Sequence, residues 1–188
     1  MNEILINAFV EIFTGGIGAA IGAYLAFIIA KNQFQTQKDS EDKQKRLDTT
    51  LDFFAEFASY KFAQNRREAG KIFKRNLNAV NLDSFYSTLN DDEKQSILET
   101  FSFFRRLQLV IEHNRIDKNM ALELFAEEFL HWYFVYFAEL IPTNWATYKS
   151  IDMLHKWFYK NMDRQEYELR KKNAETRRKE LLVALKEA

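Results

Sequence analysis

The sequence places two of its three histidines where imidazoles bind metals. Glu128-x-x-His131 and Asp152-x-x-His155 each set a carboxylate and an imidazole three residues apart, which puts both on one face of a helix. Helical bundles use this spacing to hold two metal ions, adding two further inward carboxylates. Glu56 and Glu99 are the acids available for those places, and aspartate stands where the second pair would need glutamate. The set falls short of a metal centre, so the expectation is no metal, no cofactor and a hydrogen-bonded core position for His131. Arg106 and His113 form a different constellation. Seven residues are about two helical turns, so a guanidinium that can hold a phosphate and an imidazole that can move a proton share a face.

Other chemistries are excluded by composition. The chain has no cysteine, which removes thiolate nucleophiles, disulfides and cysteine zinc sites. It contains no P-loop, no G-x-S-x-G and no H-E-x-x-H, the local signatures of nucleotide, acyl and zinc chemistry. Arg66, Arg67, Lys71, Lys74 and Arg75 recur at helical spacing beside Phe62 and Phe73. That stripe is a candidate site for anionic lipid headgroups or a small phosphorylated ligand, with an ordinary solvated helix face as the alternative. Lys plus Arg and Asp plus Glu each number 27, and Glu3 and Glu11 are the only charged residues before Lys31. The remainder is therefore close to neutral, and no nucleic-acid partner is expected.

The elements that must carry these residues divide at Ala30. Ile12 to Ala30 contains no charged residue, and a helix of that length rises roughly 28 Å, close to the thickness of a bilayer core. No base precedes it and no small-x-small cleavage signal follows, so an uncleaved signal anchor is expected rather than a secretory leader. Lys31, Lys38, Lys43, Lys45 and Arg46 follow the run, which predicts an outside N-terminus and a cytoplasmic C-terminal domain. Four of the five glycines lie in or beside TGGIGAAIG. Glycine weakens a helix in water but offers close backbone contact in lipid, so the face Gly15, Ala19, Gly22 and Ala26, with the Gly18/Gly22 pair, reads as an oligomer interface. Glu11 belongs to the same face, either reaching the outer headgroups or lining the mouth of a pore.

Residues 31–48 are polar with mixed charge and read as a juxtamembrane stalk. From Leu47 the apolar positions Leu47, Leu51, Phe54 and Ala58, flanked by Phe53, Phe57 and Phe62, predict a helix reaching about Asn76. A connection over 78–92 with one short helical turn follows, then a helix from about Asp92 to His113 capped by Asn90 or Asp91, and another started by Asp117. FLHWYFVYFAELI is too short to span a bilayer and reads as buried in protein. Pro142 ends it, and Asn144 is the candidate cap of a helix beginning at Trp145. After Asn161 the charges interleave, which predicts a solvated helix, with Tyr167, Ala174 and Leu181 seven apart as a short coiled-coil contact. The expected organisation is all-α: 1–30 tail and transmembrane helix, 31–48 stalk, 49–162 cytosolic bundle of about four helices, 163–188 charged helix.

This order, with FSFFRRLQLVIEHNRID leading into the helix of Trp132, then Pro142 and the Trp145–Tyr159 segment, resembles an uncharacterised bacterial family of small single-span membrane proteins with a cytosolic all-helical domain. The resemblance implies a bacterial inner membrane and no assigned activity. Arg106-x6-His113 is similar to the spacing in HEPN-type ribonucleases, although leucine follows the arginine where that family usually has a polar residue. Three functions are consistent with these features: a non-enzymatic homo-oligomeric scaffold or sensor whose helical domain binds a cytosolic protein or small anionic ligand; an ion-leak effector, as in phage defence; and an RNase.

The glycine face generates a direct expectation. Gly22→Ile should lower the stoichiometry of detergent-extracted protein, whereas Ile21→Leu should leave it unchanged. Equal stoichiometry in wild type and Gly22→Ile, measured by light scattering, would remove the interface.

Overall fold

The computed structural model describes the backbone of residues 2–187 and the side chains of Tyr24 and residues 26–187. Every regular element among them is helical: α1 (Asn2–Ala58), α2 (Tyr60–Arg75), α3 (Asp83–Tyr86), α4 (Asp91–Glu112), α5 (Lys118–Trp132), a π-helical turn (Tyr133–Phe137), α6 (Ala138–Leu140), α7 (Ala146–Asn161) and α8 (Arg164–Glu187). The chain separates into two units, residues 1–44 and 45–188. Among the described residues no helix is long and apolar enough to cross a membrane. Of the apolar run Ile12–Ala30, only Tyr24 and residues 26–30 have described side chains; Glu11, Gly15, Gly18, Ala19 and Gly22 lie outside them, and Ala26 is exposed.

Short-range polar signals set most boundaries. Asn90 and Glu93 cap α4 reciprocally, and Asp117 accepts the Met120 amide at 2.9 Å to start α5, satisfying donors that the first helical turn leaves free. Asp163 does the same for α8 through the amides of Gln165 and Glu166. Two expectations need correction. The helix predicted from Leu47 to Asn76 breaks at Ser59, whose backbone is extended and whose hydroxyl accepts the Phe62 amide; a serine cap ends the run without glycine or proline. Asn144 does not cap α7. Trp145 takes that position without a side-chain cap, and its indole instead donates to Asp83 at 2.9 Å.

Phenylalanines build the core of the 45–188 unit. Phe73, Phe103, Phe104, Phe125, Phe129, Phe137 and Phe158 are all fully buried, each worth about 1.5–3 kcal/mol relative to exposure. Their rings meet at offset or edge-on angles, for example Phe62–Phe103 at 4.7 Å and Phe129–Phe158 at 5.1 Å, which suits the ring quadrupole. α2 packs chiefly on α4, α4 also on α7, and α8 on α5 and the π-helical turn. The buried face of α1 is displaced from the expected one: Leu51 and Phe54 are 46% and 36% exposed, while Phe57 is buried. Apolar residues on most sides leave the face undecided, and Thr50 decides it. Its hydroxyl donates to the Arg46 carbonyl at 2.7 Å and accepts the Asp117 amide at 2.9 Å, so turning this face inward gives the Asp117 amide its acceptor.

The aromatic helix is buried as expected, but it widens at Tyr133–Phe137, where the Ala138 amide reaches the Tyr133 carbonyl. Arg178 of α8 is buried and donates both to the Val135 carbonyl and to Glu139. Nor is α8 a purely solvated helix. Tyr167, Ala174, Arg178 and Leu181 are buried in the same chain's core, so the seven-residue spacing serves an intramolecular contact, and the bundle holds more than four helices.

Arg178→Met keeps the stem and removes the donors. It should cost about 2 kcal/mol in urea unfolding of the full chain, because the Val135 carbonyl is left unsatisfied. Glu139→Gln should cost less than about 1 kcal/mol, as expected for a mostly exposed partner.

Candidate functional site

A cleft of about 490 Å³ opens between α2, α5, the π-helical turn and α8, within the usual range for small-molecule sites of roughly 300–1,000 Å³. α2 contributes Arg66 and Arg67, α5 contributes Glu127, Glu128 and His131, and α8 contributes Arg170 and Asn173. Trp132 and Tyr136 form the floor with Gly70, where an added Cβ would meet the Trp132 ring at 3.7 Å.

The electrostatics of the wall are unusual. The Arg66 guanidinium lies over the Phe57 ring at 4.0 Å and its Nε is 3.5 Å from Glu128, which also accepts the Trp132 indole at 3.1 Å. Arg66 Nη1 is nevertheless buried with no hydrogen-bond partner. Arg170 repeats the arrangement from the facing element. Its Nη2 bonds Glu166 at 2.5 Å, and its Nη1 is likewise buried and without a partner. An unsatisfied donor costs about 1–3 kcal/mol, more when charged, and burial pulls the Arg66 pKa down against the pull of Glu128. His131 is not a core residue. It lines the cleft, its ring edge-on to Tyr136 at 6.3 Å, and burial first, then Arg177, pushes its pKa down while Glu128 and Glu127 oppose them. The imidazole is therefore neutral at pH 7, offering one donor and one acceptor.

The basic stripe divides over this geometry. Arg66 and Arg67 reach the cleft, whereas Lys71 pairs with Glu68 at 2.8 Å and Arg75 with Glu93 at 2.6 Å; Lys74 is exposed. The carboxylate–imidazole pairs do not assemble. Glu128 serves Arg66 and Trp132, Asp152 serves Lys156 at 2.7 Å, Glu56 serves Arg106, and Glu99 accepts from Gln95. Among the described residues no three His, Asp or Glu side chains gather to hold a metal ion. Arg106 and His113 both lie on the exposed surface of the 45–188 unit. The Arg106 guanidinium is held by both oxygens of Glu56, which occupies the donors a phosphate would need.

Arg170 and Tyr136 escaped the sequence reading. The signal for Arg170 was present: it stands three residues after Tyr167 and four before Ala174, on the side of α8 that is buried. No protein-family model matches the chain, and no curated protein or solved structure matches it either. The residues themselves carry the functional argument.

His155 occupies a separate cluster, stacked on Tyr133 at 3.8 Å and bonded to the Tyr167 hydroxyl at 2.6 Å. Burial lowers its pKa from 6.5 to about 4, Asp152 opposing. Below about pH 6.5 the unfolded chain binds a proton that the folded one refuses. Stability should therefore fall as pH drops from about 6.5 towards 4, with no contribution from this group above that window. His155→Phe should flatten the loss between about pH 7.5 and pH 5 in urea titrations.

Proposed function

We propose that the chain is a membrane-anchored sensor whose 45–188 unit binds a small anionic ligand in the cleft between α2, α5 and α8. The observation that carries this reading is the pair of guanidinium nitrogens, Arg66 Nη1 and Arg170 Nη1, buried in the cleft-forming side chains without acceptors. A wall built only for stability would pair or solvate such donors. Arginines whose donors are left open are what an incoming anion supplies with partners.

The anchor reading rests on the uncharged run Ile12–Ala30 and the bases that follow it. It is supported by Tyr24, Phe27 and Ile29, which are 65%, 65% and 56% exposed, an arrangement suited to lipid contact. The glycine face would join copies of the chain in the bacterial inner membrane, N-terminus outside, and leave the ligand cleft in the cytoplasm. Ligand binding at the cleft joins α2 to α8 and is the event that a cytosolic protein partner would read.

Thermal melting of the detergent-extracted full chain tests the ligand reading. Sulfate, phosphate and citrate are compared with chloride at equal ionic strength. At least one multivalent anion should raise the midpoint by roughly 5 °C at a hundredfold excess over its Kd, and the double variant Arg66→Gln/Arg170→Gln should lose the response. A midpoint that no anion moves would overturn the reading.

A further inference from the structure

Resting on the reading of the cleft as an anion site, the geometry points to a hydroxylated phosphate monoester as its ligand: the phosphate between Arg66, Arg67 and Arg170, the hydroxyls on Glu127 and His131. Three features select this class. The guanidiniums come from different elements, two from α2 and one from α8. A carboxylate presents two coplanar oxygens, matched to one guanidinium fork, whereas a terminal phosphate presents three oxygens on a tetrahedron and close to two charges near pH 7. The second has more oxygens and more charge to share among forks on separate elements. Arg66 and Arg170 are each held by a carboxylate, Glu128 and Glu166 respectively, so their orientation is set in advance, and each keeps one buried nitrogen, Nη1, without an acceptor from the protein.

The acidic side of the cleft determines the rest of the molecule. Glu127 is exposed in the lining and accepts only, while the neutral His131 offers one acceptor and one donor. A bare dianion would be repelled by Glu127; hydroxyl groups on the body of the ligand turn that carboxylate into a partner. A nucleobase is disfavoured by the floor. Trp132 and Tyr136 are 4% and 7% exposed, and their rings pack on each other at 5.1 Å and on Phe73 at 6.0 and 5.5 Å. Neither leaves a face open for stacking. A sugar or polyol phosphate has the required groups, and it can be a soluble molecule or the headgroup of a lipid.

Isothermal calorimetry on the full chain in phosphatidylcholine nanodiscs tests the assignment, with glycerol 3-phosphate, glucose 6-phosphate and inositol 1-phosphate as probes and citrate and AMP as comparators. At least one of the three probes should bind saturably and more tightly than both comparators. Arg170→Gln and the rim variant Arg67→Gln should each weaken that probe by about tenfold or more, and Lys74→Gln, on α2 outside the cleft, should not change it. The Arg67 variant keeps the test sound if Arg170→Gln fails to fold. Adding phosphatidylinositol to the nanodiscs distinguishes the sources: a lower apparent affinity for the soluble probe assigns a headgroup, and an unchanged affinity assigns a soluble phosphate, each within the proposal. Binding of citrate without any of the three phosphates would overturn the phosphate assignment while leaving the anion site intact. Tighter binding of AMP would overturn the polyol assignment, and no binding by any compound would overturn both readings.

Discussion

The widened helical turn at Tyr133–Phe137 governs the arrangement of the 45–188 unit. A helix with large apolar residues on nearly every side has to be enclosed by other elements, and α2, α4, α7 and α8 supply that enclosure. A π-turn shifts the register of the residues after it and loosens the backbone hydrogen bonding within it. The Val135 carbonyl then takes its hydrogen bond from Arg178, a residue of a helix that is otherwise largely polar. Through that bond and the burial of Tyr167, Ala174 and Leu181, α8 lies against α5 rather than in solvent. Tyr136 of the same turn meets Trp132, the last residue of α5, at the floor of the cleft. The wall that carries Arg170 is thus tied to this local departure from α-helical geometry.

Charge burial makes the cleft distinct from the other polar surfaces. Several other ion pairs are short-range and exposed, such as Lys71–Glu68 and Arg177–Glu180, and pairs of that kind contribute a few tenths of a kcal/mol each. Arg66 and Arg170 are different because each has one buried nitrogen with no acceptor from the protein. The stacking of Arg66 over Phe57 recovers part of the desolvation cost, but no such contact relieves Nη1. Local breaches of polar satisfaction concentrate at functional sites, where stability is given up for binding. Gly70 fits the same pattern: a glycine within α2 forgoes about 1 kcal/mol of helix propensity at a position in the cleft lining.

Much of the helical order was legible because it depends on interactions within a few residues. The Asn90 cap, one of two expected candidates, the Asp117 cap and the stop at Pro142 are all short-range chemistry, and each is found in the structure. Ser59 was passed over since serine is tolerated inside helices, and only its extended backbone identifies it as a cap. The site was half legible. Arg66 and Arg67 belong to a stripe visible in the sequence, but Lys71 and Arg75 of the same stripe are taken up by Glu68 and Glu93. His131 was misplaced in the core because its neighbours are aromatic, although its own ring faces the cleft.

The sequence by itself determined that the described chain is helical, where most helices begin and end, and that cysteine and the common catalytic motifs take no part. Those properties follow from periodicity, capping and composition, which act over one or two turns. Only the tertiary structure decided which face of α1 is buried, that α8 docks on its own chain, and that Arg66 of α2 and Arg170 of α8 line one cleft. These outcomes depend on how rigid helices pack around a shared aromatic core. Residues more than a hundred positions apart in the sequence are brought to one site by that packing, and no local pattern records it.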